Sequence, residues 1–566
     1  MPYLDAYSPP LTAQTAAHLL RRAMFGLRPQ EIANFVGLTA TTAVNQLISN
    51  SNTGPTSPPG APCQPNNTNY NPCPNDPTDY TVSRNIVAIY PVDFDQNIVP
   101  VAKRGRPFLD YWVDLSRNFI FWRYVKFWWI GHMADQSAPP SILEKLSLFW
   151  QNHFVTSTET VNDYRYTYQY LQLIRQNALG NFRTLVTEMT KDPAMLRYLN
   201  GNENVVGAAN ENYGRELQEL FTVGEKDFNG NKNYTENDIK EAARVLTGWK
   251  DNFGAYAHNT VFTPNLHDTN NKVFSSYYGN LTISGQGGDS GGQTELDNLV
   301  TMLLNHPETS KFICRKLYRW FVHTNVTPDI ETNIIIPLAA IFKNNNYAIQ
   351  PVVEKLLKSQ HFFDTANIGS MVKSPADLLI GSLRFFNLAV PTVNATDVSS
   401  FHNYTEFIYL RLNDMQMAIL QQPSVFGYEP YFQTGLSRVW INSTSLAQRS
   451  SFTDKLIVGD YQINNNYYLK IDLFALAEEA MSNVSRESVL IVERFTKDLF
   501  ATPLNANQVE FLRNIILMNE NPNASWGFEW NAYKANPNDA VKKQAVNFRL
   551  QNLMRYLLRM AEYQLF

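Results

Sequence analysis

Cysteine is scarce in this chain of 566 residues, which contains only Cys63, Cys73 and Cys314. Because no Cys-x-x-Cys pair occurs, a zinc ribbon is excluded. Nine residues separate Cys63 from Cys73 in "PCQPNNTNYNPC", and a disulfide that closes a loop of this size contributes roughly 3 kcal/mol. The alternative is two free thiols in a solvated loop. We expect the disulfide in the natural compartment of the protein, and we expect Cys314 to be free and buried on a helix.

Charge of either sign is also sparse. Asp, Glu, Lys and Arg make up 17% of the chain, and the formal net charge is −4. No polybasic run is present, so the sequence does not predict a nucleic-acid-binding protein. Aromatic residues reach 13%, which is typical of a globular chain and excludes global disorder.

Long apolar runs are missing as well, since no stretch approaches the ~18–20 residues of a membrane-spanning helix. The N-terminal segment "MPYLDAYSPPLTAQT" lacks the charged and apolar regions of a signal peptide. The Asn- and Tyr-rich, Lys-poor stretches and the Cys63–Cys73 loop nevertheless favour an extracytoplasmic protein, located in the periplasm, on the cell surface or outside the cell. We therefore expect export without a recognisable signal peptide.

Familiar catalytic motifs are absent, among them HExxH, the Walker A loop and GxGxxG. The pentapeptide "GDSGG" at Gly288–Gly292 matches the serine motif of trypsin-like proteases, and "TAAH" at Thr15–His18 matches their histidine motif. That family is a double β-barrel, whereas His18 lies in a predicted helix. No predicted strand precedes the pentapeptide to form a nucleophile elbow. We interpret both matches as coincidental.

Helical periodicity dominates what is present, and the predicted fold class is mainly α: one large, monomeric multi-helix domain. A minor β-hairpin insertion is predicted near 258–284, where the apolar pattern alternates with period two. Proline density predicts an irregular loop at 54–77. We expect three parts, which are an N-terminal helical segment (1–53), a Pro/Asn-rich insertion and lead-in (54–109) and the main helical body (110–566).

His153 lies in the predicted helix "EKLSLFWQNHF", where it shares one sector with Phe149 and Trp150. A buried imidazole needs a hydrogen-bond partner for each ring nitrogen. Glu144 points away on the same helix, so the partner must come from another element. His153 is then either a satisfied core residue or a group held dry for chemistry.

The segment "NENYGRELQEL" (210–220) predicts a helix with a charged face. Glu211, Arg215 and Glu219 form one i, i+4 row of this face. Asn212 and Glu216 form the neighbouring row. Carboxylates and an arginine on one face suit acid–base chemistry or a divalent metal ion. The alternative is a solvated salt-bridge ladder of ~0.2–0.5 kcal/mol per pair. We expect His153 to pair with Glu216 or Glu219.

The dipeptide His267–Asp268 lies beside the predicted hairpin in "NLHDTNNK". It orients a base or binds a metal if a turn brings both side chains together, but neighbouring residues on a strand point to opposite faces.

A set of ordered segments spans nearly the whole chain, including "AAHLLRRAMFG", "EKLSLFWQNHFVTS", "NENYGRELQELFTVG", "YTENDIKEAARVLTGW", "HPETSKFICRKLYRWFV" and "WINSTSLAQR". Through them the chain resembles a bacterial family known as domain of unknown function 1800. The sequence departs from the pattern of that family at Gln151, where a first histidine is common, and at Tyr428, where a tryptophan is common. A two-histidine metal site is therefore in doubt, but His153 matches the second histidine.

The resemblance implies an extracytoplasmic protein whose gene often neighbours that of a second family, domain of unknown function 1501. That second family resembles the alkaline phosphatase and sulfatase superfamily, and it is the expected partner and the expected vehicle for export.

Two functions are compatible with these observations. The first is a hydrolase that acts on an extracellular polymer such as a glycan, with a divalent metal ion as a possible cofactor. Its candidate catalytic residues are His153, Glu216, Glu219 and Arg215. Its candidate substrate-binding residues are Asn212, Trp150, His267 and Asp268. The second is a non-catalytic binding or assembly subunit of the partner, in which the same residues form a buried polar network.

Overall fold

The computed structural model describes residues 3–53, 118–253, 258–391, 399–432, 436–481, 488–518 and 526–566. Within these ranges the fold is mainly helical, and the sheets are small two-stranded antiparallel hairpins. The predicted fold class is therefore confirmed. The predicted loop at 54–77 and the predicted Cys63–Cys73 disulfide lie outside the described residues.

The α-helices before the first sheet are short to medium in length. They are Ala13–Ala23, Pro29–Phe35, Ala40–Ser49, Asn118–Ala134, Leu143–His153, Thr158–Val161, Tyr164–Asn177, Phe182–Lys191, Pro193–Tyr198, Glu211–Glu216 and Glu236–Val245. Those that follow are Gly291–Asn305, Pro307–Phe321, Pro328–Ile330, Ile336–Asn344, Ile349–Leu357, Pro375–Phe385, Ser399–Asp414, Glu429–Phe432, Ser443–Val458, Leu473–Met481, Ser488–Thr496, Ala506–Phe511, Trp526–Ala535 and Ala540–Arg559.

Tighter and wider helical turns extend several of these helices or link them. The 3₁₀ turns are Asn50–Thr53, Gly201–Glu203, Pro264–Leu266, Ser276–Tyr278, Leu436–Trp440 and Ala561–Gln564. The π-helical turns are Leu217–Thr222, Glu331–Ile335 and Leu512–Leu517.

The strands form three hairpins. Two of them are Trp249–Phe253 with His258–Phe262, and Lys272–Val273 with Thr282–Ile283. They confirm the predicted β insertion, although it begins earlier than expected and consists of two separate pairs. The third hairpin, Tyr461–Asn464 with Tyr467–Leu469, was not predicted.

Local capping signals in the sequence determine where several helices begin. Thr12 caps helix Ala13–Ala23, and its side chain accepts a hydrogen bond from the backbone N–H of Thr15. Thr235 and Asp238 form a capping box at the start of helix Glu236–Val245. Such caps satisfy N–H groups that lack a partner within the helix, so they are readable from a few neighbouring residues.

Cys314 is fully buried and free, as predicted. Burial raises the pKa of its thiol above the ordinary value. In the described ranges, no helix is both long enough and apolar enough to cross a membrane.

Three helices bring the candidate site together. Helix Leu143–His153 lies in the aromatic core, where the ring of Phe149 packs edge-on against that of Trp320 at 5.6 Å. Trp320 belongs to helix Pro307–Phe321, and the third helix is Pro375–Phe385.

Candidate functional site

His153 is the last residue of helix Leu143–His153 and is only 2% exposed. Its ring stacks parallel to Phe149 at 6.3 Å and lies edge-on to Phe154 at 4.5 Å. The predicted placement of His153 in an aromatic stripe is therefore confirmed.

The hydrogen bonds of His153 define the form of its ring. Nε2 lies 3.0 Å from the backbone oxygen of Phe221, and Nδ1 lies 2.8 Å from Nζ of Lys316. Because a carbonyl oxygen only accepts, Nε2 carries the hydrogen and Nδ1 accepts from Lys316. The geometry therefore defines a neutral imidazole with a single tautomer.

The predicted pairing of His153 with Glu216 or Glu219 is wrong. The charged helix continues into the π-helical turn Leu217–Thr222 and ends there. The last carbonyls of a helix lack N–H partners within it, and the carbonyl of Phe221 meets this need by accepting from His153. The polar partner is therefore a backbone carbonyl, one residue after the predicted segment 210–220.

Lys316 is held in an apolar setting. Burial, and then the neighbouring charge of Arg319, lower the pKa of its ammonium group to about 7. Burial, and then the nearby Lys316, lower the pKa of His153 well below 6.5, although the hydrogen bond to Phe221 opposes this. At neutral pH the pair thus contains an uncharged histidine and a lysine that is close to half protonated.

Arg319 lies one helical turn after Lys316. Within the described residues its guanidinium makes no hydrogen bond and no ion pair, and its Nε is shielded from solvent. Burial lowers the pKa of this guanidinium to about 10, which still leaves it charged at neutral pH. Arg319 is partly buried, and a charged guanidinium in such a setting is energetically unfavourable without a partner.

Lys145 contrasts with these two cations because it has a carboxylate partner. Its Nζ forms an ion pair with Oδ1 of Asp377, and both side chains are buried. The other oxygen of Asp377 accepts from the hydroxyl of Ser374, 2.7 Å away. Both carboxylate oxygens of Asp377, the acidic residue among the described residues that line this region, therefore already have partners.

These groups line a narrow pocket with a cavity volume of about 30 Å³. Its charged lining residues are Lys145, Lys316, Arg319 and Asp377. Its aromatic walls come from Phe149, Trp320, Tyr431, Trp440 and Phe566. Three cationic groups against one carboxylate, in surroundings of low polarity, create a positive potential that attracts anions.

A divalent metal ion, which the sequence left open as a cofactor, does not fit this site. Among the residues that the structure describes, no group of three His, Cys, Asp or Glu side chains is arranged to hold a metal ion. The cationic side chains of the pocket would repel a metal cation, and Nδ1 of His153 is occupied by Lys316.

The predicted charged face exists, but it does not line the pocket beside His153. Arg215, with a side chain 36% exposed, pairs with Glu236 at 2.8 Å. The hydroxyl of Tyr234 donates to Glu219 at 3.2 Å. Burial, and then the charge of Glu219, raise the pKa of Glu216 to about 7. Asn212 is exposed and caps nearby backbone by donating to the carbonyl of Leu199.

His267 and Asp268 belong to a separate polar network and do not line the pocket either. Nε2 of His267 lies 3.1 Å from Oε1 of the buried Glu295, whose other oxygen accepts from Lys272 at 2.5 Å. Asp268 forms an ion pair with Arg244 at 2.8 Å.

Trp150, a predicted substrate-binding residue, is fully buried and donates its indole N–H to the carbonyl of Ala178 at 2.9 Å. It has no exposed surface with which to contact a ligand in this conformation.

The two positions that depart from the family pattern both lie near His153. Gln151 is buried and accepts a hydrogen bond from Gln422. The backbone N–H of Tyr428 donates to Oδ1 of Asn152 at 2.8 Å. A Cβ on Gly427, which has φ +85°, would lie 2.4 Å from that same Oδ1, so glycine is required for this close approach.

Lys316 and Arg319 were not identified as site residues from the sequence. In "KFICRKLYRWF" they lie at i and i+3, with Trp320 at i+4, so all three share one helix face. The sequence signal that could have identified this site is a helix face with two cations and a tryptophan and with no acidic residue at helical spacing.

The fold and the pocket define a mainly helical protein with a basic, aromatic-walled cleft. The chain belongs to the family described as protein of unknown function (DUF1800), whose model matches residues 18–565. No curated protein and no solved structure matches the chain.

Proposed function

We propose that this protein binds a ligand through an anionic group, which enters the basic pocket between Lys316 and Arg319. The observation that carries the proposal is the guanidinium of Arg319, which lines the pocket and has no partner among the described residues. Arginine recognises carboxylate, sulfate and phosphate groups through paired N–H donors. An anion would supply the missing partner.

The surroundings support the same conclusion. Asp377 is committed to Lys145 and Ser374, so it leaves Lys316 and Arg319 uncompensated. Walls of low polarity strengthen the attraction between these cations and an anion. The aromatic rings of Trp320 and Tyr431, 4.4 Å apart between centroids, add an apolar surface for the remainder of the ligand.

Titration calorimetry with acetate, sulfate and phosphate tests this proposal. We expect saturable binding of at least one anion to the wild type, and an affinity at least about tenfold weaker in Arg319→Gln, since a charge-assisted hydrogen bond contributes about 1.5–3 kcal/mol. Arg183→Gln is the control, because Arg183 lies outside the pocket and donates to Thr301. Equal affinities in wild type and Arg319→Gln would overturn the proposal.

A second candidate is the hydrolysis of an extracellular polymer such as a glycan, and Glu216 favours it. A carboxyl group with a pKa of about 7 beside a second carboxylate suits a general acid. In this arrangement Glu216 donates the proton, while His153 takes no part because Lys316 and Phe221 occupy both ring nitrogens.

Reducing-end assays on a panel of polysaccharides test the hydrolase. Glu216→Gln should lower the rate by about 10²–10⁴-fold, the usual contribution of a general acid. Glu211→Gln removes a carboxylate from the same helix and should leave the rate unchanged. Full activity in Glu216→Gln would exclude the proposed acid.

The proposed binding function also fits an assembly subunit, because an anion pocket needs no catalysis. We propose that the protein acts outside the cytoplasm with a member of the domain of unknown function 1501 family and is exported with it. Co-expression followed by cell fractionation tests both points. Equal export with and without the partner would exclude co-export.

A further inference from the structure

We infer that Lys316 is an amine nucleophile that forms an imine with a small carbonyl compound carrying a carboxylate, a 2-oxo acid in the simplest case. The inference rests on the proposed anion site, because Arg319 holds the carboxylate while the carbonyl carbon faces Nζ of Lys316. Neither residue was singled out by its sequence pattern, and the two are brought together by their shared helix face and the pocket.

The hydrogen bond to His153 prepares the amine. Nε2 of His153 is engaged by the carbonyl of Phe221, so the lone pair of Nδ1 accepts one N–H of Lys316 at 2.8 Å. No carboxylate of the described chain pairs with Lys316, whereas Lys145 in the same pocket is paired with Asp377. A lysine that only stabilises a fold needs such a counter-ion, and a nucleophilic lysine is better without one.

The electrostatic setting favours the neutral amine. Burial and the adjacent Arg319 lower the pKa of Lys316 to about 7, which makes a large fraction of the amine available at neutral pH. Desolvation and a neighbouring cation are the two established ways to activate a lysine for imine chemistry. The groups that face Nζ are His153 and Arg319, and the ring of Phe312 lies 5.1 Å away.

The reaction balances with groups that are present. The amine nitrogen attacks the carbonyl carbon, a C–N bond forms, and the π electrons move to the oxygen. One proton of the nitrogen passes to Nδ1 of His153 and from there to that oxygen, which gives a carbinolamine. Transfer of the second proton of the nitrogen to the hydroxyl group, which leaves as water, produces the C=N bond. The reaction requires no oxidant and no metal.

The narrow pocket limits the ligand to a small molecule or to the end of a larger one. The probes are therefore glyoxylate and pyruvate, each incubated at neutral pH with the full chain and sodium cyanoborohydride. Intact-mass measurement should show a single reduced adduct per chain, and peptide mapping should place it on Lys316. Labelling of Lys316 should be at least about tenfold faster than that of any other lysine, because an ordinary lysine is almost fully protonated at pH 7.

Variants show how the adduct forms. Lys316→Arg should abolish the adduct, while Lys311→Arg on the same helix, where Lys311 pairs with Glu308, should retain it. Arg319→Gln should raise the concentration of oxo acid needed for half-maximal labelling. His153→Gln should slow labelling at saturation without changing that concentration.

The outcomes separate this inference from the proposed function. If the oxo acid binds in calorimetry and Lys316 is not labelled in the wild type, the imine is excluded and the anion site stands. If neither acetate, sulfate, phosphate nor the oxo acids bind, both fail. Labelling spread evenly over surface lysines also overturns the inference, even if the variants do not fold.

Discussion

Two regions of this protein each pair a buried histidine with a lysine, but Lys272 is fully buried in one region and Lys316 is partly buried in the other. In the first region, Glu295 accepts from His267, from Lys272 and from the backbone N–H of Gln286. In the second, Lys316 donates directly to His153, and no described carboxylate lies between them or beside them. The second region therefore lacks a carboxylate like that of Glu295 among the described residues.

The difference indicates which region is structural. Both ring nitrogens of His267 face acceptors, since Nδ1 also lies 2.9 Å from the carbonyl of Thr247. Glu295 forms an ion pair with Lys272, and the side chains of both residues are fully buried. In the pocket at His153, Lys316 and Arg319 have no carboxylate partner among the described residues. Buried charges persist unpaired only when the surrounding fold compensates for them, and such groups are concentrated at binding and catalytic sites.

The largest expected effect on stability follows from removing the carboxylate of Glu295. Glu295→Ala leaves Lys272 charged and buried without a partner, so the free energy of unfolding should fall by about 3–5 kcal/mol. Urea unfolding measures this. Glu295→Gln keeps the shape and some hydrogen bonds and should lose less. A loss below about 1 kcal/mol for the alanine variant would remove the structural interpretation of this network.

The next effect is the contribution of Lys316 to the pH dependence of stability. Its pKa is lowered to about 7 in the folded protein, whereas an unfolded lysine has a pKa near 10.4. Between these values the unfolded chain binds more protons, so stability rises as the pH rises from about 7 to about 10. We expect the contribution of Lys316 to be roughly 1–3 kcal/mol. Lys316→Met should lose this part and keep the part that comes from other buried lysines such as Lys126.

Unfolding curves at a series of pH values provide the measurement. Lys311→Met is the matched control, because Lys311 is partly exposed and paired with Glu308. Parallel stability profiles for the wild type and Lys316→Met would show that Lys316 is solvated and unperturbed.

A smaller loss should follow from changing either histidine. His153→Gln retains a donor for the carbonyl of Phe221 and should lower the free energy of unfolding by about 1–2 kcal/mol. His267→Gln should lower it more, because Glu295 then loses a partner in a sealed network. Thermal and urea unfolding of both variants test the ranking. The reverse order would mean that the pocket at His153 contributes more to stability than the Glu295 network does.

The contacts of this site that the sequence predicted are those between residues close together along the chain. The capping residues Thr12 and Thr235 accept hydrogen bonds from backbone N–H groups three residues away, so the start of each helix is encoded by neighbouring residues. His153 was placed correctly in an aromatic stripe because a helical period is a local property.

The partners of His153 were not predictable by the same means. Lys316 is 163 residues away along the chain, and Phe221 contributes a backbone oxygen. Helical spacing shows that Glu216 and Arg215 occupy neighbouring rows, but it does not show which row faces the core. The π-helical turn at Leu217–Thr222 also has no signal in the periodicity.

The smallest effect on stability, and the sharpest contrast, is expected at Arg319. Arg315, on the same helix, pairs with Glu308 at 2.9 Å and with Glu331 at 2.6 Å, so Arg315→Gln should lower the free energy of unfolding by about 3–5 kcal/mol. Arg319→Gln removes a charge with no partner among the described residues, and the change should be within about 1 kcal/mol of zero.

The stabilisation that an added anion provides should be lost in Arg319→Gln and kept in Arg315→Gln. An anion that binds only the folded state stabilises it through mass action, so sulfate or an oxo acid should raise the melting temperature of the wild type and of any folded Arg315→Gln protein. The same anion should have no such effect on Arg319→Gln. If Arg319→Gln were as unstable as Arg315→Gln, Arg319 would have a structural partner, and the anion pocket would lose the group on which it depends.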